Sequence, residues 1–125
     1  MALFQMQIET EFAILYLGDS EGGSTPDVDG VSIAATTDCV VFYVLHYVDG
    51  ASLVTVSDRS PGNGGRKLFA GEIEARSGAL AVRDTSAFCY LNIPVHPGRV
   101  SVEIWADHAS NPDWVWVKLG AIRSY

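Results

Sequence analysis

The sequence predicts an all-β fold, an antiparallel β-sandwich of about eight or nine strands, in a single domain spanning residues 1–125. Three observations predict it. The dominant hydrophobic period is two: in "FQMQIETEFAILY", Phe4, Met6, Ile8, Phe12, Ile14 and Tyr16 share one parity, and Gln5, Gln7, Glu9 and Glu11 the other. Successive side chains of a strand point to opposite faces, so this pattern marks a half-buried strand. Turn-forming clusters recur at the short intervals of a sandwich or barrel. No segment carries a helical period with a cap.

Each element follows from its residues. After the N-terminal strand, "GDSEGGSTPDVDG" is a loop and "VSIAA" alternates again. "CVVFYVLHYV" (39–48) is apolar on both parities, so it reads as a strand that is central or covered on both sides. Asp49-Gly50 turns the chain into the return strand "ASLVTVS". "DRSPGNGGRK" is a loop by composition. "LFAGEIEARSGALAVRD" holds two strands around a tight turn at Ser77-Gly78. "AFCYLNI" is a further strand, stopped by Pro94 and Pro97, which lack the N–H a ladder needs. "RVSVEIWA" and "WVWVKLG" complete the set.

These last two are expected to form a hairpin around the loop "DHASNP" (107–112). Pairing Trp105 with Trp114 sets Ile104 against Val115, Val102 against Val117 and Val100 against Leu119, a wholly aliphatic face that belongs in the core. The other face carries Trp105–Trp114, Glu103–Trp116 and Ser101–Lys118. A one-residue slip would bury the charged face; a two-residue slip keeps the same faces. The candidate interaction surface is therefore Glu103, Trp105, Trp114, Trp116 and Lys118, with Asp107, His108 and Asp113 at the turn. An aromatic outer face also has structural uses, since opposed aromatic pairs stabilise a sheet.

Composition bounds the function. Eight basic and fifteen acidic side chains leave a net charge of −7, which repels phosphate backbones and anionic lipid. Neither nucleic-acid nor membrane binding is expected, and a basic protein is the favoured electrostatic partner. The start "MALFQMQIETEF" lacks the pattern of a signal peptide, and a cytoplasmic location is expected. Cys39 and Cys89 both sit in apolar strand-like runs and read as reduced, buried small hydrophobes.

Chemical motifs are sparse. "GNGGRK" (62–67) fails as a phosphate loop, because Leu68 follows Lys67 where Ser or Thr is required; it reads as a flexible hairpin loop. Asp19, Glu21, Asp27 and Asp29 lack the calcium-loop spacing, leaving an adventitious calcium site as the sharper alternative to a solvated loop. His46, His96 and His108 each stand alone, so no zinc site is indicated. Glu72 and Glu74 share a strand face and read as its wet side. No metal ligand, cofactor-binding residue or catalytic residue is assigned.

"GEIEARSGALAV" (71–82), "NIPVHPGRVSVEIW" (92–105) and "WVWVKL" together resemble a group of small bacterial sandwich proteins, with Ser77, Gly78, Leu80 and Val82 matching one part of its pattern and Pro97, Gly98, Val100 and Val102 another. The characterised branch is the competence protein J type, an inhibitor of a DNA nuclease. The N-terminal "IETEFAILYLGD" suits the same group. The resemblance implies a sandwich fold and a nuclease-inhibitor role. The matched positions are turn formers and core hydrophobes, so it assigns no inhibitory residue.

The expected function is thus a non-enzymatic protein-binding domain, an acidic inhibitor or immunity-type partner of a basic nuclease. One alternative is a carbohydrate-binding module that stacks sugars on the tryptophan face; another is an enzyme or metal protein with a site assembled from distant residues. An edge strand with an aromatic face also suits a homodimer.

Overall fold

A computed structural model describes residues 3–11, 13–22, 33–62, 64–108 and 112–123. The described residues form ten strands: β1 (Leu3–Ile8), β2 (Ile14–Asp19), β3 (Ala34–Ala35), β4 (Cys39–Tyr43), β5 (Ser52–Ser57), β6 (Arg66–Ala75), β7 (Ala79–Arg83), β8 (Cys89–Pro94), β9 (Gly98–Ala106) and β10 (Trp114–Leu119). They form two five-stranded sheets, β1-β5-β10-β9-β6 and β3-β4-β2-β7-β8. This is the expected all-β sandwich. Pairing is antiparallel among the described strands except between β10 and β5.

The count exceeds the expected one because the N-terminal strand divides. β1 joins the first sheet and β2 the second. Between them Thr10 bridges to His46, and Ala13 takes a left-handed backbone, φ 60°. The parity changes at this crossing. Ile8 is buried on the even register, but Leu15 and Leu17 are buried on the odd one. Ile14 and Tyr16, expected inside, are only half-buried, and Phe12 lies outside the described residues.

Three expected local pairings are also replaced. β4 and β5 lie in different sheets, as do β6 and β7, so Asp49-Gly50 and Ser77-Gly78 turn the chain from one sheet to the other. The turn geometry itself holds, with Gly78 at φ 83° and its N–H donating to the Ala75 carbonyl at 3.3 Å. The 62–67 loop closes no hairpin either, because β10 and β9 lie between β5 and β6. The apolar run 39–48 ends as strand at Tyr43, and His46 caps a short 3-10 turn, Tyr47–Asp49. As expected, β4 is covered on both sides, Val40 and Phe42 on one face and Cys39 and Val41 on the other.

The core fills the space between the sheets. Val54, Val56, Val100, Val102, Ile104, Val115, Val117 and Leu119 of the first sheet belong to one buried cluster with Leu15, Leu17, Val40, Phe42, Leu80, Val82 and Ile93 of the second. Full burial of each branched side chain contributes about 1.5–3 kcal/mol before entropy is counted.

β9 and β10 form the expected hairpin with the expected faces, displaced by two residues. Trp116 opposes Trp105, Lys118 opposes Glu103, and Val117 opposes Ile104. β5, the other neighbour of β10, accounts for the slip. Leu53 N–H donates to the Asp113 carbonyl at 2.9 Å, and Ser52 Oγ donates to the Pro112 carbonyl at 2.7 Å. Asp107 Oδ1 accepts from the N–H groups of Asp113 (3.0 Å) and Trp114 (3.3 Å), which closes the loop from its other end.

The two thiols differ. Cys39 is buried, whereas Cys89 is exposed, contrary to expectation. Cys89 opens β8, an edge strand whose pairing with β7 is irregular beside it, between Val82 and Arg83. Two strands separate β4 from β8, so the cysteines stand at least about 14 Å apart and both are free.

Candidate functional site

The outer face of the hairpin brings together the strand residues proposed from the sequence. Lys67 of β6 opposes Trp105, Trp105 opposes Trp116, and Trp116 opposes Thr55 of β5. Lys67 Nζ lies 5.3 Å from the Trp105 ring centroid and 3.8 Å from Glu103 Oε1. A cation over an indole face is attracted by the ring quadrupole; the exposed ion pair adds little.

The three indoles are half-buried, and their own chain supplies part of the cover. Trp116 Nε1 donates to the Arg59 carbonyl at 2.7 Å. Gly65, at φ 75°, packs so closely on the Trp114 ring that a Cβ there would collide with it. The loop between β5 and β6 therefore folds over the tryptophan strip. That explains Gly65, whose positive φ and missing side chain let the backbone approach the indole. Asp107 is a loop-closing acceptor, while Asp107, His108 and Asp113 are all exposed at the tip.

The sequence reading missed two concave sites. The first, about 210 Å³, lies on the outer face of the second sheet, among Tyr16, Gly18, Asp38, Cys39, Ala81 and Arg83. Its groups are already engaged. Arg83 donates to the carbonyls of Asp19 and Ser20, and Arg76 reaches Asp38 at 3.4 Å. Burial and the neighbouring Asp38 carboxylate push the Cys39 thiol up to about 11, so it is protonated near neutrality and is no activated nucleophile. Asp19, the first member of the suggested calcium loop, uses both carboxylate oxygens on backbone N–H groups, Glu21 at 2.9 Å and Ser77 at 2.9 Å. Burial opposes its ionisation, but these hydrogen bonds and Arg76 outweigh burial and lower its pKa. Asp27 and Asp29 lie outside the described residues.

The second site is an open hollow of about 250 Å³ lined by Glu9, Thr10, Glu11, Asp84, Ser86 and Tyr90. Tyr90 Oη donates to Asp84 Oδ2 at 3.0 Å and lies 3.3 Å from the Glu9 carbonyl. Burial, then Asp84, raises the pKa of the phenol. Asp84 Oδ1 also accepts from the N–H groups of Ser86 (2.9 Å) and Phe88 (3.1 Å), which shapes the turn into β8. No local motif announces this hollow, because its two halves come from segments more than seventy positions apart.

Among the described residues no three of His, Cys, Asp and Glu come together to hold a metal ion, and no helix is long and apolar enough to cross a membrane. Glu72 and Glu74 lie outside the core on β6, with Glu72 paired to Arg99 at 3.2 Å.

No family model matches the chain, and no curated protein does. Two solved structures share its fold. One is crocagin biosynthetic gene J, with a TM-score of 0.56, 14% identity, and coverage of 95% of this chain and 97% of that one. The other is ComJ from Bacillus subtilis, an inhibitor of the DNA-degrading activity of NucA, with a TM-score of 0.66, 9% identity, and coverage of 94% and 93%. The chain thus has the fold of the competence protein J-like sandwich over nearly its whole length.

Proposed function

We propose that this chain is a non-enzymatic protein-binding domain that acts as an acidic, inhibitor-type partner of a basic nuclease. The observation that carries the reading is a fold shared over 94% of the chain with a nuclease inhibitor, at a TM-score of 0.66 and 9% identity, joined to a net charge of −7. An acidic surface speeds encounter with a basic enzyme and repels the nucleic acid that enzyme degrades.

The test offers the purified protein to a panel of basic DNA nucleases and to a lysate of its source organism, with captured proteins identified and then assayed for plasmid degradation. Stoichiometric loss of cleavage is expected, with association slowing steeply as salt rises. If no nuclease loses activity at low salt with the protein in about tenfold excess, the reading fails. Trp114→Ala in the same assay reports whether the hairpin face (Glu103, Trp105, Asp107, His108, Asp113, Trp114, Trp116 and Lys118) contributes to the contact.

A further inference from the structure

Five large hydrophobic side chains are exposed among the described residues: Leu3 (49%), Met6 (37%), Tyr47 (52%), Val48 (72%) and Phe88 (60%). Three of them are tied to the second hollow. Tyr47 N–H donates to the Thr10 carbonyl at 3.0 Å, which places Tyr47 and Val48 on one side of the crossing segment 9–11. Phe88 stacks edge-on against Tyr90, a lining residue of the hollow, with ring centroids 4.9 Å apart, which places it beside the Asp84–Tyr90 edge. Met6 stands three residues before Glu9 on β1, and only Leu3 lies at the far end of that strand.

The hollow itself is lined by Glu9, Glu11 and Asp84. No lysine or arginine lines the hollow, and none of the three carboxylates is in an ion pair among the described residues. The tryptophan strip differs on each point. Its indoles are half-buried, a loop of the chain packs on it, and Lys67 already neutralises Glu103.

We propose that the hollow and its apolar rim, where β1 crosses to β2 beside the start of β8, are the docking surface for a basic protein that inserts a lysine or arginine among Glu9, Glu11 and Asp84 and packs aliphatic or aromatic side chains on Tyr47, Val48 and Phe88. The inference deepens the inhibitor reading and rests on its choice of a basic protein partner. Exposed apolar side chains grouped about an acidic hollow suit a protein contact, with an apolar surround and a charged centre. A desolvated cation beside unneutralised carboxylates, ringed by apolar contacts that exclude water, is the usual anatomy of a strong anchor.

The test needs no nuclease. A synthetic peptide alternating arginine with leucine and tryptophan, and a control with glutamate for arginine, are titrated into isotope-labelled protein while amide shifts are mapped. Shifts are expected at residues 9–11, 46–49 and 84–90, with the three indole N–H signals of the hairpin nearly still. Glu9→Lys with Glu11→Lys, both exposed positions, should weaken the peptide by about tenfold or more. Val48→Ser with Phe88→Ser should weaken it at high salt as well, because that loss is not screened. Shifts centred on the tryptophans, shifts scattered over every carboxylate, or no binding would each overturn the assignment. So would sedimentation showing a dimer that Phe88→Ser dissolves, since the surface would then belong to a second copy. Absence of nuclease inhibition with the shifts intact would overturn the inhibitor role and leave the surface standing.

Discussion

Asp19→Ala should cost about 3 kcal/mol of stability near neutral pH. The carboxylate is buried and accepts two backbone hydrogen bonds, from Glu21 and Ser77, that tie the end of β2 to the turn between β6 and β7. A hydrogen bond to a charged group contributes about 1.5–3 kcal/mol. Glu21 and Ser77 are themselves exposed, so water can reach the stranded donors and the low end of that range applies. For a chain of 125 residues the unfolding entropy is about 0.26 kcal/mol/K, so the loss appears as a fall in Tm of about 11 °C. Asp19→Asn keeps one acceptor oxygen and turns an amide against the other donor, costing about half as much. The pH dependence separates this account from simple packing. The folded-state pKa of Asp19 is lowered, so its stabilisation is present above the unfolded value of about 4 and is lost as pH falls through the folded value. Urea unfolding of wild type and Asp19→Asn at about pH 7 and about pH 3 should show their difference shrinking on acidification. A difference unchanged with pH, or an alanine variant within about 0.5 kcal/mol of wild type, would refute the reasoning.

Three further outcomes follow from the geometry. Under native conditions a thiol reagent should label Cys89 readily and Cys39 only after unfolding, because Cys39 is buried with its thiol pushed up to about 11; two reactive thiols in the folded state would contradict the assignment. Trp116→Phe should lose about 0.5–1.5 kcal/mol with the hydrogen bond to the Arg59 carbonyl, and exchange of the Trp116 indole proton in the wild type should be slowed while that bond holds. Gly65→Ala should cost about 1–3 kcal/mol, since it strains φ at 75° and drives a methyl group into the Trp114 ring; denaturant titration of a variant as stable as wild type would show that the loop does not rest on the indole.

Side-chain parity was readable wherever a strand was long and its neighbours alternated. Residues 100–106 and 115–119 show this, with inward valines and Leu119 against outward tryptophans. Register was not readable to better than two residues, because β5, more than fifty positions upstream, anchors the loop through Ser52 and Leu53. Sheet membership was hidden for the same reason. A tight turn such as Ser77-Gly78 looks alike whether its arms pair or part. The break between β1 and β2 did leave a signal: "AILYL" (13–17) is apolar on both parities, so the run of even-numbered hydrophobics did not have to continue through it. The exposure of Cys89 left none, since its neighbours Phe88, Tyr90 and Leu91 are those of an interior strand. The hairpin cluster was found because its residues are contiguous. The acidic hollow was missed because Glu9 and Asp84 meet only once both sheets are assembled.

β10 lies at the centre of the first sheet, parallel to β5 on one side and antiparallel to β9 on the other. It is also the last of the ten strands to leave the ribosome. Until residues 114–119 arrive, β5 and β9 flank an empty lane, each with a full row of unpaired backbone groups and inward valines facing water. A nascent chain in that state is sticky and cannot close its core, however much of the second sheet has formed. Closure of the first sheet therefore waits on β10: a chain truncated before Trp114 should be an aggregation-prone fragment and not a smaller sandwich.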